Sequence, residues 1–176
     1  MNADDEDFAR FVNQRQRALL RSAWLLTGDW ALAEDLVQAA LARTWLRWTR
    51  IRRRDDPEIY VRRVIVSTWV NWSRRKWFGE RPAFEIPDGP APGDLANEAV
   101  ARLAVRSALR ALPKRQRAVL VLRVFDDLTE AQTAEVLGCA VGTVKSTLSQ
   151  TLAKLRADRR LADLPERESH TETDWK

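Results

Sequence analysis

The chain has 176 residues, room for one or two small domains, and 45% of it is apolar, enough to build real cores. Lys and Arg outnumber Asp and Glu 30 to 25, a net charge of +5 that favours an anionic partner. With a single Cys (Cys139) and a single His (His170), no internal disulfide and no His/Cys metal cluster can form, and no cofactor is implied. No run approaches the length of a membrane span and the N-terminus lacks an apolar targeting core, so the chain reads as cytoplasmic. No nucleophile–base pair or Gly-rich phosphate loop is present, so it does not read as an enzyme. The charge is clustered: residues 2–7 are acidic, five Arg fall within 47–54, and Arg74, Arg75 and Lys76 are consecutive.

Phe8, Phe11, Val12, Leu19, Ala23 and Leu26 recur at helical spacing and predict a first long helix closed by Gly28. Asp29 is placed to cap a second, from about Trp30 to Trp48, rich in Ala, Leu, Glu and Gln. Along it Ala33, Val37, Leu41, Thr44 and Trp48 face one way, and Glu34, Asp35, Gln38 and Trp45 form a second surface suited to another packing partner. Thr49 to Asp56 reads as a basic connector. Asp56 then caps and Pro57 opens a third helix, with a buried seam through Val61, Val64, Ile65, Thr68 and Trp72. Beside that seam Arg63, Ser67, Asn71 and Arg74 form a polar and basic stripe, flanked by Trp69 and Trp77 and extended by Arg75 and Lys76. Single-stranded nucleic acid needs such a surface, because bases stack on rings while cations follow the phosphates. A solvated face with Trp used for packing is the competing reading.

Residues 79–95 hold four of the seven Pro and three of the six Gly and read as an extended linker. Asn97 to Leu112 returns to helical spacing. Pro113 opens a further helix whose first turn carries Lys114, Arg115 and Arg117, with Val119, Leu120, Leu122, Val124 and Phe125 as its core. Cations there oppose the helix macrodipole, a local cost that points to a partner such as phosphate. The stretch from Leu128 to Lys154 is a helix-turn-helix pattern. Thr129 and Gln132 make a capping box, Gly138 ends the first helix, and Val141, Val144, Leu148, Leu152 and Leu155 line one side of the second. The outer face of that second helix carries Thr143, Ser146, Ser149 and Gln150, flanked by Lys145 and Lys154. These are short polar groups able to reach base edges or phosphates in a major groove. Cys139 sits in the turn, where a small apolar residue suffices. The tail after Leu164 is polar, with Trp175 near its end.

The segments LLRSAWLLTGDWALAEDLVQAALARTW, YVRRVIVSTWVNWSRRKW and LPKRQRAVLVLRVFDDLTEAQTAEVLGCAVGTVKSTLSQTLAKLR, in that order, resemble a bacterial sigma factor. The class is the extracytoplasmic-function (ECF) class of the sigma-70 superfamily, and within it the actinobacterial group often labelled SigE. The resemblance implies an all-α fold of two helical domains, region 2 over residues 8–78 and region 4 over 97–160. A Pro/Gly-rich linker (79–96) would join them, and a polar tail (161–176) would follow. It implies a transcription initiation factor that binds core RNA polymerase, through its β′ clamp helices and β flap, and directs promoter-specific binding and strand opening. An anti-sigma protein is a further candidate partner. Glu34, Asp35, Leu36, Gln38, Leu41 and Trp45 would contact the polymerase. Arg63, Ser67, Asn71, Arg74, Arg75 and Lys76 would read the −10 element, and Arg115, Arg117, Thr143, Lys145, Ser146, Ser149 and Gln150 the −35 element.

The chain departs from the family where Ala140 replaces the usual Ser before the recognition helix. That forfeits a cap and could start the helix one residue later. Thr147 to Gln150 lacks an Arg common there, and Val66-Ser67 replaces an Arg-Asn pair. Two rival readings are a stand-alone helix-turn-helix repressor, which leaves the first 78 residues unexplained, and a charge-driven single-strand-binding protein, which leaves the motif from Thr129 unexplained.

Overall fold

The structure, a computed structural model, describes residues 3–54, 56–75 and 95–162. Residues 79–94 of the expected linker, Trp77 and residues 163–176 of the tail, Trp175 included, lie outside the described residues; Leu95 and Ala96, expected to end the linker, are instead the start of a helix, and 161–162 of the tail are helical. Every regular element among those described is helical, and none is long and apolar enough to cross a membrane.

Helix α1 runs from Ala3 to Thr27, beginning with Asp4, Asp5 and Glu6 in its first turn, where carboxylates complement the helix dipole. It stops at Gly28, whose φ of 70° suits a residue without Cβ. Asp29 then caps α2 (Trp30–Trp45), its carboxylate accepting from the Leu32 N–H at 2.9 Å. α2 is shorter than its composition suggests, and the expected basic connector is instead a helix, α3 (Trp48–Arg54). Apolar anchors explain the difference: Trp48 and Ile51 are buried, and the rings of Phe8 and Phe11 pack on Trp48 with centroids 5.0 and 5.2 Å away. Asp56 accepts from the Glu58 N–H at 2.8 Å and Pro57 opens α4 (Pro57–Arg75), as expected from the sequence.

α5 (Leu95–Ala111) buries Ala108 and Leu109 and leaves Leu103 exposed. α6 (Lys114–Leu120) continues into a π-helical turn over Val121–Phe125, in which the Asp126 N–H reaches the Val121 carbonyl at 3.0 Å. The wider turn shifts the helical phase. Val121 and Leu122 are buried, whereas Val124 and Phe125, expected in the core, are 54% and 43% exposed. Asp127 follows at φ 51°, in the left-handed region that Asp tolerates better than most residues, and the chain turns toward α7 (Glu130–Leu137).

The helix-turn-helix forms as its sequence dictates. Thr129 and Gln132 make both capping-box bonds, and Gly138 closes α7 at φ 63°, ψ 42°. Cys139 packs beside Val119, Ala134 and Val144. α8 (Val141–Arg156) starts directly after Ala140, not a residue later, although Ala140 supplies no side-chain cap. The short α9 (Arg159–Ala162) ends the described chain.

One apolar core runs through both halves. Leu19, Ala23, Leu26, Leu36, Val61, Ile65 and Trp69 from α1, α2 and α4 belong to the same cluster as Leu109, Leu112, Leu120, Val121, Leu122, Leu128 and Val136. α4 is the shared element, lying against α2 on one side and α7 on the other. The uncapped start of α8 gives a direct test. Ala140→Ser should restore a cap bond and add about 1 kcal/mol. The thermal midpoint should rise by roughly 2–4 °C, and an unchanged or lower midpoint would show that the backbone at Ala140 cannot accept a cap.

Candidate nucleic-acid and polymerase interface

The expected −35 reader is exposed along α8. Lys145, Ser146, Ser149 and Gln150 face solvent and Thr143 is half-buried, while Val144, Thr147 and Thr151 turn inward. The buried Thr151 hydroxyl donates to the Thr147 carbonyl at 2.7 Å, so this side needs no partner. Lys145 Nζ lies 3.4 Å from Glu130 Oε2 at the start of α7, and Lys154 Nζ donates to Gln116 Oε1 at 3.1 Å. Arg115 is exposed on α6. Arg117 is not available beside it. It is only 9% exposed and faces inward, where Nη1 donates to the Leu26 carbonyl (2.7 Å) and Nη2 to those of Arg110 (2.8 Å) and Leu112 (3.3 Å). Burial, with Arg110 nearby, lowers its guanidinium from the ordinary value.

The expected −10 stripe lies on α4. Arg63, Ser67 and Asn71 are exposed, Arg74 and Arg75 belong to its last turn, and Lys76 lies outside the described residues. Trp69, a candidate for base stacking, is 5% exposed, with the Arg117 guanidinium 5.7 Å from its ring centroid. The neighbouring basic helix α3 is tied to the acidic start of α1. Arg52 pairs with Asp4 at 2.7 Å and Asp7 at 3.3 Å, and the Thr49 hydroxyl donates to Asp4 at 2.8 Å.

On α2 the expected polymerase surface divides. Glu34, Asp35, Gln38 and Trp45 are exposed and share one side. Leu36 and Leu41 are buried in the core instead, because their positions on α2 fall on the side packed against α1 and α4. Leu46 and Trp30 are the other large apolar residues exposed on or beside this helix.

Between the two halves sits a charge cluster that the sequence did not single out. Arg62 of α4 and Asp126, at the end of the π turn, are both 4% exposed and in ion-pair contact. Ser22 of α1 joins them, its hydroxyl accepting from Arg62 Nη1 at 3.1 Å and close to Asp126. Arg62 Nη2 also pairs with Glu58 at 2.8 Å. Burial pushes the Asp126 carboxyl above the usual carboxylate range, against the opposing pull of Arg62 and of the Ser22 hydroxyl. At the rim Arg63 pairs with Glu135 of α7 at 2.8 Å. Further along, Arg106 donates to the Gly28 carbonyl at 2.6 Å. The signal for Arg62 was present: it follows Val61 and precedes Ile65, Val66 and Trp69 on the inward side of α4. Its partner 64 residues away carried none.

A helical protein with an exposed helix-turn-helix face and a second basic helix stripe defines a class of DNA-reading proteins. Residues 11–78 match the family described as "Sigma-70 region 2" and residues 102–155 that described as "Sigma-70, region 4". The RNA polymerase sigma-E factor of Streptomyces coelicolor is 39% identical over 161 residues, covering 92% of this chain and 90% of that protein. The ECF sigma factor SigL of Mycobacterium tuberculosis is 33% identical over 149 residues, covering 82% and 84%. The fold is also similar to that of the sigma factor RpoE of Bartonella quintana, solved with the anti-sigma factor NepR. That likeness has a TM-score of 0.72 at 23% identity and covers 86% of this chain and 96% of that one. The chain belongs to the sigma-70 family of RNA polymerase sigma factors, within its ECF class, and is therefore a transcription initiation factor.

Arg115 and Arg117 are neighbours in sequence but not in environment. Arg117→Ala should cost about 3 kcal/mol of stability by orphaning three carbonyls, while Arg115→Ala should stay within about 0.5 kcal/mol. Chemical denaturation of the two variants checks this; equal losses would sink the structural role given to Arg117.

Proposed function

We propose that this sigma factor docks on core RNA polymerase through the exposed side of α2, using Glu34, Asp35, Gln38 and Trp45. It reads the −10 element with Arg63, Ser67 and Asn71 on α4, extended by Arg74, Arg75 and Lys76, and the −35 element with α8. The observation that carries the reading is the outer face of α8. Thr143, Lys145, Ser146, Ser149 and Gln150 stand on a helix whose other side is closed by Val144, Thr147 and Thr151. Short donors and acceptors on a rigid, groove-sized helix are suited to base edges, while cations beside them position the backbone. On α4, exposed Arg and Asn side chains suit a strand whose bases have left the stack.

An anti-sigma protein is a further partner in this reading, supported by the similar fold of the Bartonella quintana factor, which was solved with one. The RNA polymerase β flap is a second polymerase contact for region 4. Promoter-specific run-off transcription with purified core polymerase tests the whole reading, and transcription must depend on this chain. Asp35→Ala with Gln38→Ala should weaken core binding by roughly tenfold, about 1.4 kcal/mol, without altering which promoter is chosen. Lys145→Ala with Ser146→Ala should change −35 preference and leave core affinity as it was. Tight, specific binding to duplex DNA without polymerase would favour a stand-alone repressor instead.

A further inference from the structure

Apolar spacing along α8 groups Val141 with Val144, yet the two residues end differently. Val144 is fully buried, whereas Val141 is 40% exposed. Val141 is the first residue of α8. A helical side chain leans toward the helix N-terminus, and here no earlier turn of α8 lies beneath it. Lys145 and Ser149 follow it at i+4 and i+8, both exposed, so Val141 heads one row of the outer face.

This end of α8 carries little competing chemistry. Ala140 and Gly142 are exposed and have no polar side chain. A Cβ built on Gly142 would meet nothing within 4 Å, so the helix start is open to close approach. Lys145, one turn on, is drawn toward Glu130 at 3.4 Å. A single exposed Val needs no explanation in itself, and Ala140 and Gly142 do not enlarge it into a patch that a protein would need. Its place on the helix decides. In a helix-turn-helix the first residues of the second helix stand over base edges. An isopropyl group neither donates nor accepts a hydrogen bond. The one apolar group that base pairs present in the major groove is the C5 methyl of thymine. Val is suited to meet it, because branching at Cβ holds one preferred rotamer in a helix and little freedom is lost on contact.

We propose that Val141 is a specificity-determining residue of α8, packing its methyl groups against the C5 methyl of a thymine in the −35 element. The inference rests on the reading of α8 as the −35 helix and adds what its polar residues do not supply. A Ser hydroxyl both donates and accepts and so serves several bases, which leaves Ser146 and Ser149 as weak discriminators. A methyl contact tells T·A from A·T, since the methyl stands on one strand only, and it fixes the register of α8 at its first turn. The contact is apolar, so its discrimination is independent of salt even though the affinity as a whole is not.

The test uses holoenzyme assembled from core polymerase and the full chain, on the promoter duplex that run-off transcription identifies. Each thymine of the −35 element, on both strands, is replaced in turn by uracil, which lacks only the methyl. At one position uracil should weaken holoenzyme binding by about fourfold, the worth of one buried methyl, and the ratio should hold as salt is raised. Val141→Ala should abolish that discrimination, and Val141→Ile, which keeps a branched apolar side chain, should retain it. Val141→Ala should not lower the thermal midpoint, because Ala is the better helix former at an exposed position. If it does, Val141→Thr, of the same shape with one methyl exchanged for a hydroxyl, takes its place and should shrink the uracil effect. The absence of a uracil effect at every −35 position, an effect undiminished in the variants, or a ratio that shrinks with salt would each overturn the assignment. A scrambled −35 element separates this failure from that of the wider reading. If scrambling weakens binding and no uracil does, Val141 alone is misassigned. If scrambling changes nothing, α8 does not read the element and the inference falls with it.

Discussion

Arg62 is a full positive charge in the interior, and the arrangement of the molecule follows from satisfying it. Glu58, one turn back on α4, meets part of the need. The remainder comes from Ser22 on α1 and from Asp126, which stands at the end of the π turn. An ion pair this deep is poor evidence for stability, since desolvation consumes much of what the attraction gains. The Asp126 carboxyl lies above the usual range in keeping with that cost, burial outweighing the opposing pull of Arg62 and Ser22. What the pair supplies is position. It fixes the segment leading into α7, and so the helix-turn-helix, against α4.

The exposed cations tell a related story at lower stakes. Arg52 is paired with Asp4 and Asp7, Arg63 with Glu135 and Lys145 with Glu130. Pairs this exposed contribute little to stability, commonly below about 1 kcal/mol each, and salt weakens them further. A phosphate can therefore displace such a carboxylate at small cost. Excess basic charge is thus kept locally neutral without being committed, which suits a protein that should ignore most anions and respond to a correctly placed few.

Features governed by adjacent residues were legible from the sequence. The capping box of Thr129 and Gln132, the left-handed Gly138, the Asp29 cap and the Asp56-Pro57 start all depend on chemistry within four residues, and all form. Errors arose where distant contacts set the outcome. Thr49 to Asp56 reads as a basic connector, yet Trp48 packs under the rings of α1, Ile51 is buried, and a helix forms over Trp48–Arg54. Val124 and Phe125 obeyed α-helical spacing until the π turn changed the phase. Leu36 and Leu41 belong to the polymerase-like segment by resemblance, but burial decides which of its residues can touch anything. Arg117, by its place in a first turn, reads as a phosphate contact. Its three carbonyl partners come from α1 and the end of α5, contacts that no periodicity within α6 could reveal.

The recognition helix also has a character that follows from these constraints. Its inner side spends hydroxyl residues on its own backbone, and its outer side is mostly neutral. Lys145 and Lys154 are each engaged by a neighbouring side chain. Few phosphates can be neutralised by such a surface, and affinity from counterion release scales with that number. On its own α8 would be a weak reader. Joined by a chain segment to a second reader, it acts at an effective concentration that can lie in the millimolar range, where weak but specific contacts suffice. Low intrinsic affinity then becomes useful. In the function proposed above, a helix that could not hold duplex DNA unaided would read the −35 element only when the rest of the complex had placed it there.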